Sequence, residues 1–106
     1  MKHMLEALEK IQQYTANMDL PQLSTDSMAL DAVIRNFQVI GEASRALPEH
    51  VKRAHPEVPW SPMEKMRHVI VHDYDRVDVG IIWDTVKQDL PSLVPLLERL
   101  LEEEGE

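Results

Sequence analysis

Between residues 30 and 47, Leu30, Val33, Ile34, Phe37, Ile40, Gly41, Ser44 and Leu47 recur in steps of three and four. That period gathers them on one stripe of an α-helix and turns Asp31, Arg35, Gln38, Glu42 and Arg45 to the other face. Nowhere does the chain sustain a period of two, and no Asn-Gly or Asp-Gly pair marks a hairpin. The pattern therefore demands helices packed on helices.

The same reading applied end to end predicts a first helix over about residues 2–16, with Met4, Leu5, Leu8, Ile11 and Gln12/Thr15 on its apolar stripe. The segment "NMDLPQLST" (residues 17–25) reads as a loop broken by Pro21. The long helix should start between Thr25 and Ser27, where small polar side chains offer capping oxygens, and end at Pro48, with a short helix possible through Arg53. "HPEVPW" (55–60), tied by two prolines, reads as irregular. "SPME" predicts a helix capped by Ser61, with Pro62 at its first position and Glu64 completing a capping box, running to about His72 or Tyr74. A last helix should begin near Asp78 and be bent or restarted at Pro91. Its stripe is Val79, Ile82, Trp83, Val86, Leu90, Leu93, Leu97, Leu100 and Leu101. The expected architecture is a single all-α domain over residues 1–106, an up-and-down bundle of four to five helices with an acidic tail over about 102–106.

Composition narrows the function classes. No cysteine is present, which excludes disulfides and thiolate metal sites and suits a reducing cytoplasm. No apolar run approaches membrane-spanning length, and the N-terminus lacks a signal-peptide core. The formal net charge is -8, which argues against bulk electrostatic coating by nucleic acid. The charge is uneven, however. From Arg45 to Arg76 six Lys/Arg face five Asp/Glu, about +1, so the rest of the chain carries -9. Any polyanion site has to be local.

The densest cluster of titratable groups lies in "MRHVIVHDYD" (66–75). Met63, Met66, Val69 and Ile70 form the core stripe of that helix. At about 100° per residue, Arg67 and Tyr74 fall within roughly 20° of each other, while His72 lies about 140° from Arg67. Three readings stay open on these residue types. The Arg and His could be a solvated helix end with favourable charge at the C-terminal dipole. His68 and His72, at i,i+4, could hold a divalent metal with Asp73 or Asp75. Or arginine, a planar fork for phosphate oxygens, and histidine, a proton carrier near neutral pH, could form a site for metal-free RNA transesterification. One such pair is a minimal set, which a homodimer would double.

Arg67, four residues, His72, one residue, Tyr74 resembles the R-x4-H-x-Y motif of HepT-like proteins, a branch of the HEPN (higher eukaryotes and prokaryotes nucleotide-binding) superfamily. "DAVIRNFQVIGEASRAL" resembles that family's second helix, "HPEVPW" precedes the motif as expected, and "DYDRVDVGIIWDTVKQDLPSL" follows it. The likeness spans about residues 4–97. Two positions depart from the pattern: Lys65 where the family often has glycine, and His68 where asparagine is common.

The resemblance implies a HEPN-like helical homodimer with two motifs facing across a cleft. It implies a toxin of a toxin–antitoxin pair: a metal-independent endoribonuclease with Arg67 and His72 catalytic and no cofactor. Its partner would be a minimal nucleotidyltransferase (MNT) antitoxin that adenylylates Tyr74 and silences the nuclease. His68, Asn36 and Asp73 are expected as supporting residues, RNA rather than DNA as the substrate, and the cytoplasm as the location. A catalytically inactive helical dimer that binds a nucleotidyltransferase or a nucleotide is the competing expectation. Gly41 suggests a close helix crossing, and Trp60 and Trp83 read as core or interface anchors rather than base-stacking platforms.

Overall fold

The computed structural model describes residues 2–67 and 78–104, and every regular element among them is helical. The order is α1 (Lys2–Thr15), α2 (Leu20–Thr25), α3 (Ser27–Ala46), α4 (Glu49–Ala54), α5 (Trp60–Lys65), α6 (Val79–Asp84), a π-helical turn (Thr85–Asp89) and α7 (Leu90–Glu104). Helix α3 is the spine: α1 packs along it, α5 packs against it, and α7 closes on α1.

The predicted stripes supply most of the buried core, with Leu5, Leu30, Ile34, Leu47, Val79 and Trp83 half-buried against it. Met4, Ala7, Leu8 and Ile11 of α1 meet Val33, Phe37 and Ile40 of α3 in one core with Ile82, Val86, Leu90, Leu93, Leu97 and Leu100. Met63 and Met66 join it, while Val69 and Ile70 lie outside the described residues. Polar members of the stripes are satisfied locally. The hydroxyl of Thr15 donates to the Ile11 carbonyl at 2.8 Å, and that of Ser44 donates to the Ile40 carbonyl at 2.7 Å. No described helix is long and apolar enough to cross a membrane.

Two local expectations need correction. The segment expected as a loop contains α2. Asp19 accepts from the Gln22 backbone N–H and the Gln22 side chain accepts from the Asp19 N–H, both at 2.8 Å, which is a reciprocal capping box. Pro21 sits in the first turn, where its missing N–H has no intrahelical partner to lose. Helix α3 is then capped by Asp26, whose carboxylate accepts from the Ala29 N–H at 3.0 Å.

Helix α5 starts one residue before Ser61, and no side chain caps it. The Trp60 indole N–H sets that start instead, donating to the carbonyls of Lys52 at 3.2 Å and His55 at 3.0 Å at the end of α4. Glu64 is drawn to Lys52 at 2.7 Å rather than back to the helix start.

The interruption expected at Pro91 is present: α6 gives way to a π turn, and α7 begins at Leu90, the residue before Pro91. In the π turn just before it, the Leu90 N–H bonds the Thr85 carbonyl, five residues back. This widened turn precedes a residue that has no N–H to give its own i-4 carbonyl. Lys87, on that turn, donates to the last carbonyl of α1, Thr15, at 3.1 Å and lies 4.7 Å from the centroid of the Trp83 ring. Trp60 is buried and Trp83 half-buried at the core edge, both as apolar anchors.

Candidate active site

Arg67 follows directly on α5, after Met66 with its helical φ of -56° and ψ of -30°. Met66 is buried, and Arg67 beside it is half-buried. Two fixed points hold the preceding helix. At its start is the Trp60 indole, bonded to the end of α4. In its last turn is Glu64, whose carboxylate meets Lys52, itself 3.7 Å from Glu49. The Lys52 side chain is only 10% exposed, so this charge pair is less screened than a surface bridge.

On its other side the Arg67 backbone lies against α3 at Gly41. A methyl group at residue 41 would stand 2.6 Å from the Arg67 nitrogen, 2.8 Å from its Cβ and 3.1 Å from the Glu64 carbonyl oxygen. The close crossing expected from this glycine is thus within one subunit, between α3 and the end of α5. The signal for it was a glycine on an apolar helical stripe, where alanine would otherwise be favoured by about 1 kcal/mol. The anchoring by Trp60 and Lys52 carries no local pattern by which it could be read in advance.

Of the predicted site residues, Arg67 and Asn36 are described; His68, His72, Asp73 and Tyr74 lie outside the described residues. Asn36 is half-buried on α3 and its side-chain amide donates to the Ala32 carbonyl of its own helix at 2.8 Å. Five residues separate it from Gly41, about 140° around α3, so it stands well away from the face that meets Arg67. What the described part of the site supplies is one permanently charged, bidentate-capable donor group on a rigidly held segment.

A second polar cluster fixes the far end of the chain. His55, at the end of α4 with its side chain 8% exposed, places Nε2 2.9 Å from Glu104 and Nδ1 3.4 Å from Glu103 and 3.5 Å from Glu57. The Glu104 hydrogen bond, helped by Glu57 and by the charge of Glu103, outweighs desolvation and raises the imidazole above its ordinary 6.5. A group raised in the folded state stabilises fully below its unfolded pKa, and the contribution is lost as pH rises through the folded value. The thermal midpoint of the wild-type protein should therefore exceed that of His55→Gln most at about pH 5.5, with the gap shrinking by about pH 8.5. A gap that widens with pH would contradict the pairing.

An all-helical domain carrying an arginine on a segment braced between two neighbouring helices is the frame on which the sequence motif is mounted. The family model described as "Ribonuclease HepT-like" matches residues 4–100. A protein described as "Probable ribonuclease HepT" from Thermococcus cleftensis is 43% identical over 95 residues, covering 90% of this chain and 86% of that one. One described as "Putative RNase" from Methanocaldococcus jannaschii is 35% identical over 103 residues, covering 96% and 85%. No solved structure matches the chain. The chain belongs to the HepT-like ribonuclease family.

Proposed function

We propose that this protein is the toxin of a HEPN/MNT-type toxin–antitoxin pair: a metal-independent endoribonuclease that cuts RNA at a homodimer cleft in the cytoplasm. The observation that carries this reading is family membership over residues 4–100 in a chain that keeps Arg67, His72 and Tyr74 in the motif spacing. The names of its relatives support RNA as the substrate.

In this mechanism Arg67 binds the scissile phosphate and stabilises the charge that builds on its oxygens. His72 removes the proton of the ribose 2′-hydroxyl. The 2′-oxygen bonds to phosphorus and the P–O5′ bond breaks. The departing 5′-oxygen takes up a proton, leaving a 2′,3′-cyclic phosphate and a 5′-hydroxyl. With two subunits, the two His72 copies divide the proton transfers. His68 and Asp73 flank the pair as supporting groups, with Asn36 a more distant one. The experiment is incubation of purified dimer with RNA in excess EDTA: cleavage supports the reading, and cutting that needs added metal removes its metal-free part.

Silencing acts through Tyr74. Its phenol oxygen attacks the α-phosphate of ATP on the nucleotidyltransferase partner, and pyrophosphate leaves. The attached AMP puts phosphate charge where RNA phosphate would bind Arg67. Intact mass after co-expression with such a partner is expected to show added AMP, lost in Tyr74→Phe. An unmodified wild-type chain would remove this regulation from the account.

The competing reading, an inactive helical dimer that binds a nucleotidyltransferase or nucleotide, is favoured by the net charge of -8, which repels RNA. Strong salt-weakening of RNA affinity in the wild type, blunted in Arg67→Ala, argues for the local site over this alternative.

A further inference from the structure

Gly41 lies in the middle of α3, fully inside an ordinary helix, so conformational freedom does not explain a glycine there. Space does. Ordinary van der Waals contact begins near 3.4 Å, and a Cβ at this position would fall short of that by about 0.8 Å at the Arg67 nitrogen. The obstructing atoms are the backbone nitrogen and Cβ of Arg67 and the carbonyl oxygen of Glu64. None is the tip of a flexible side chain that could swing aside. Nor can the segment retreat freely, because Glu64 is tied to Lys52 at 2.7 Å and Trp60 is bonded to the end of α4.

We propose that Gly41 is a positioning residue for Arg67: the missing side chain lets the arginine backbone dock on α3, and that docking sets where the guanidinium points. The proposal rests on the ribonuclease reading above. A displacement at the Arg67 backbone is carried to the far end of the longest cationic side chain. Misplacing a phosphate-binding group by roughly 1 Å can cost up to about 100-fold in rate.

Four proteins test this: wild type, Gly41→Ala, Arg67→Ala and the double variant. Each is measured for single-turnover RNA cleavage, for affinity towards the same RNA with its 2′-hydroxyls methylated, and for thermal midpoint. Gly41→Ala is expected to slow cleavage roughly 10- to 100-fold and to weaken binding of the methylated RNA. In the Arg67→Ala background the same substitution should leave that binding unchanged. A merely structural role would weaken binding equally in both backgrounds. That outcome, or Gly41→Ala cleaving within about twofold of wild type, overturns the positioning role and leaves the nuclease reading standing. A wild-type protein that does not cleave overturns both. Should Gly41→Ala not fold, Gly41→Ala/Lys52→Ala cuts the tie at Glu64 and lets the Arg67 segment back away from the new methyl group. Slower cleavage than Lys52→Ala alone supports the positioning role, and cleavage at the Lys52→Ala rate, or no recovery of a folded protein, overturns it.

Discussion

Replacing Arg67 by alanine is expected to reduce RNA cleavage by about 10²–10³-fold while the protein stays folded. The alanine keeps the Cβ and backbone that dock on Gly41, so what is lost is the guanidinium. Arg67→Lys should recover only part of the rate, because an ammonium keeps the charge but not the two-pronged fit to phosphate oxygens. His72→Ala is expected to cost about 10²–10⁴-fold through the lost proton transfer. The double variant should be scarcely worse than the more damaging single one, since groups acting in one step do not add. Single-turnover rates with circular dichroism on the same samples decide the matter. Cleavage by Arg67→Ala within about twofold of wild type would remove the arginine from the mechanism.

The largest stability effect is expected at Phe37. It is the only phenylalanine, 2% exposed, and sits on α3 facing the common core one turn before Gly41. Phe37→Ala should cost about 3–5 kcal/mol, the sum of lost transfer energy and an incompletely collapsed cavity. Against a total of about 5–15 kcal/mol for a domain of this kind, that is roughly a fifth of the stability or more. Urea unfolding at one fixed protein concentration measures it; the concentration matters because dimerisation would add to apparent stability. A loss below about 1 kcal/mol would mean that the core does not close around α3.

The long helices were legible because their burial is periodic. Met4, Leu8 and Ile11, then Val33, Phe37 and Ile40, then Leu90, Leu93, Leu97 and Leu100 are both the predicted stripes and the buried residues. What escaped was set by other forces. Helix α2 owes its start to a capping box on Asp19 and Gln22, an Asp-x-x-Gln pattern that is readable but was overshadowed by Pro21. The start of α5 is fixed by a contact eight residues back in the chain, from the Trp60 indole to the Lys52 carbonyl, which no local pattern encodes. The π turn before Pro91 is a backbone response to a proline that tertiary packing keeps within the helix.

The candidate site was legible in its residue types and only partly in its placement. An arginine and a histidine five residues apart suggest phosphate and proton chemistry, yet residue types and periodicity alone leave a solvated helix end and a metal site open as well. The glycine that receives Arg67 lies 26 positions earlier on another helix, and only the packing of α3 on α5 joins the two. The charge pattern fits such a local site: the segment from Arg45 to Arg76 is close to neutral in a chain whose remainder is strongly acidic. On the proposed reading, an acidic remainder would keep RNA from binding indiscriminately and leave the arginine-bearing segment as the place where a phosphate meets least repulsion.

RNA cutting by 2′-hydroxyl attack without a metal leaves a distinctive pair of ends. The direct measurement is incubation of the purified wild-type protein with an RNA pool in excess EDTA, with analysis of fragment ends. Fragments bearing 2′,3′-cyclic phosphates and 5′-hydroxyls are expected, with no cutting of a 2′-deoxy substrate of the same sequence. RNA left intact in the presence and absence of divalent metal would contradict the ribonuclease reading.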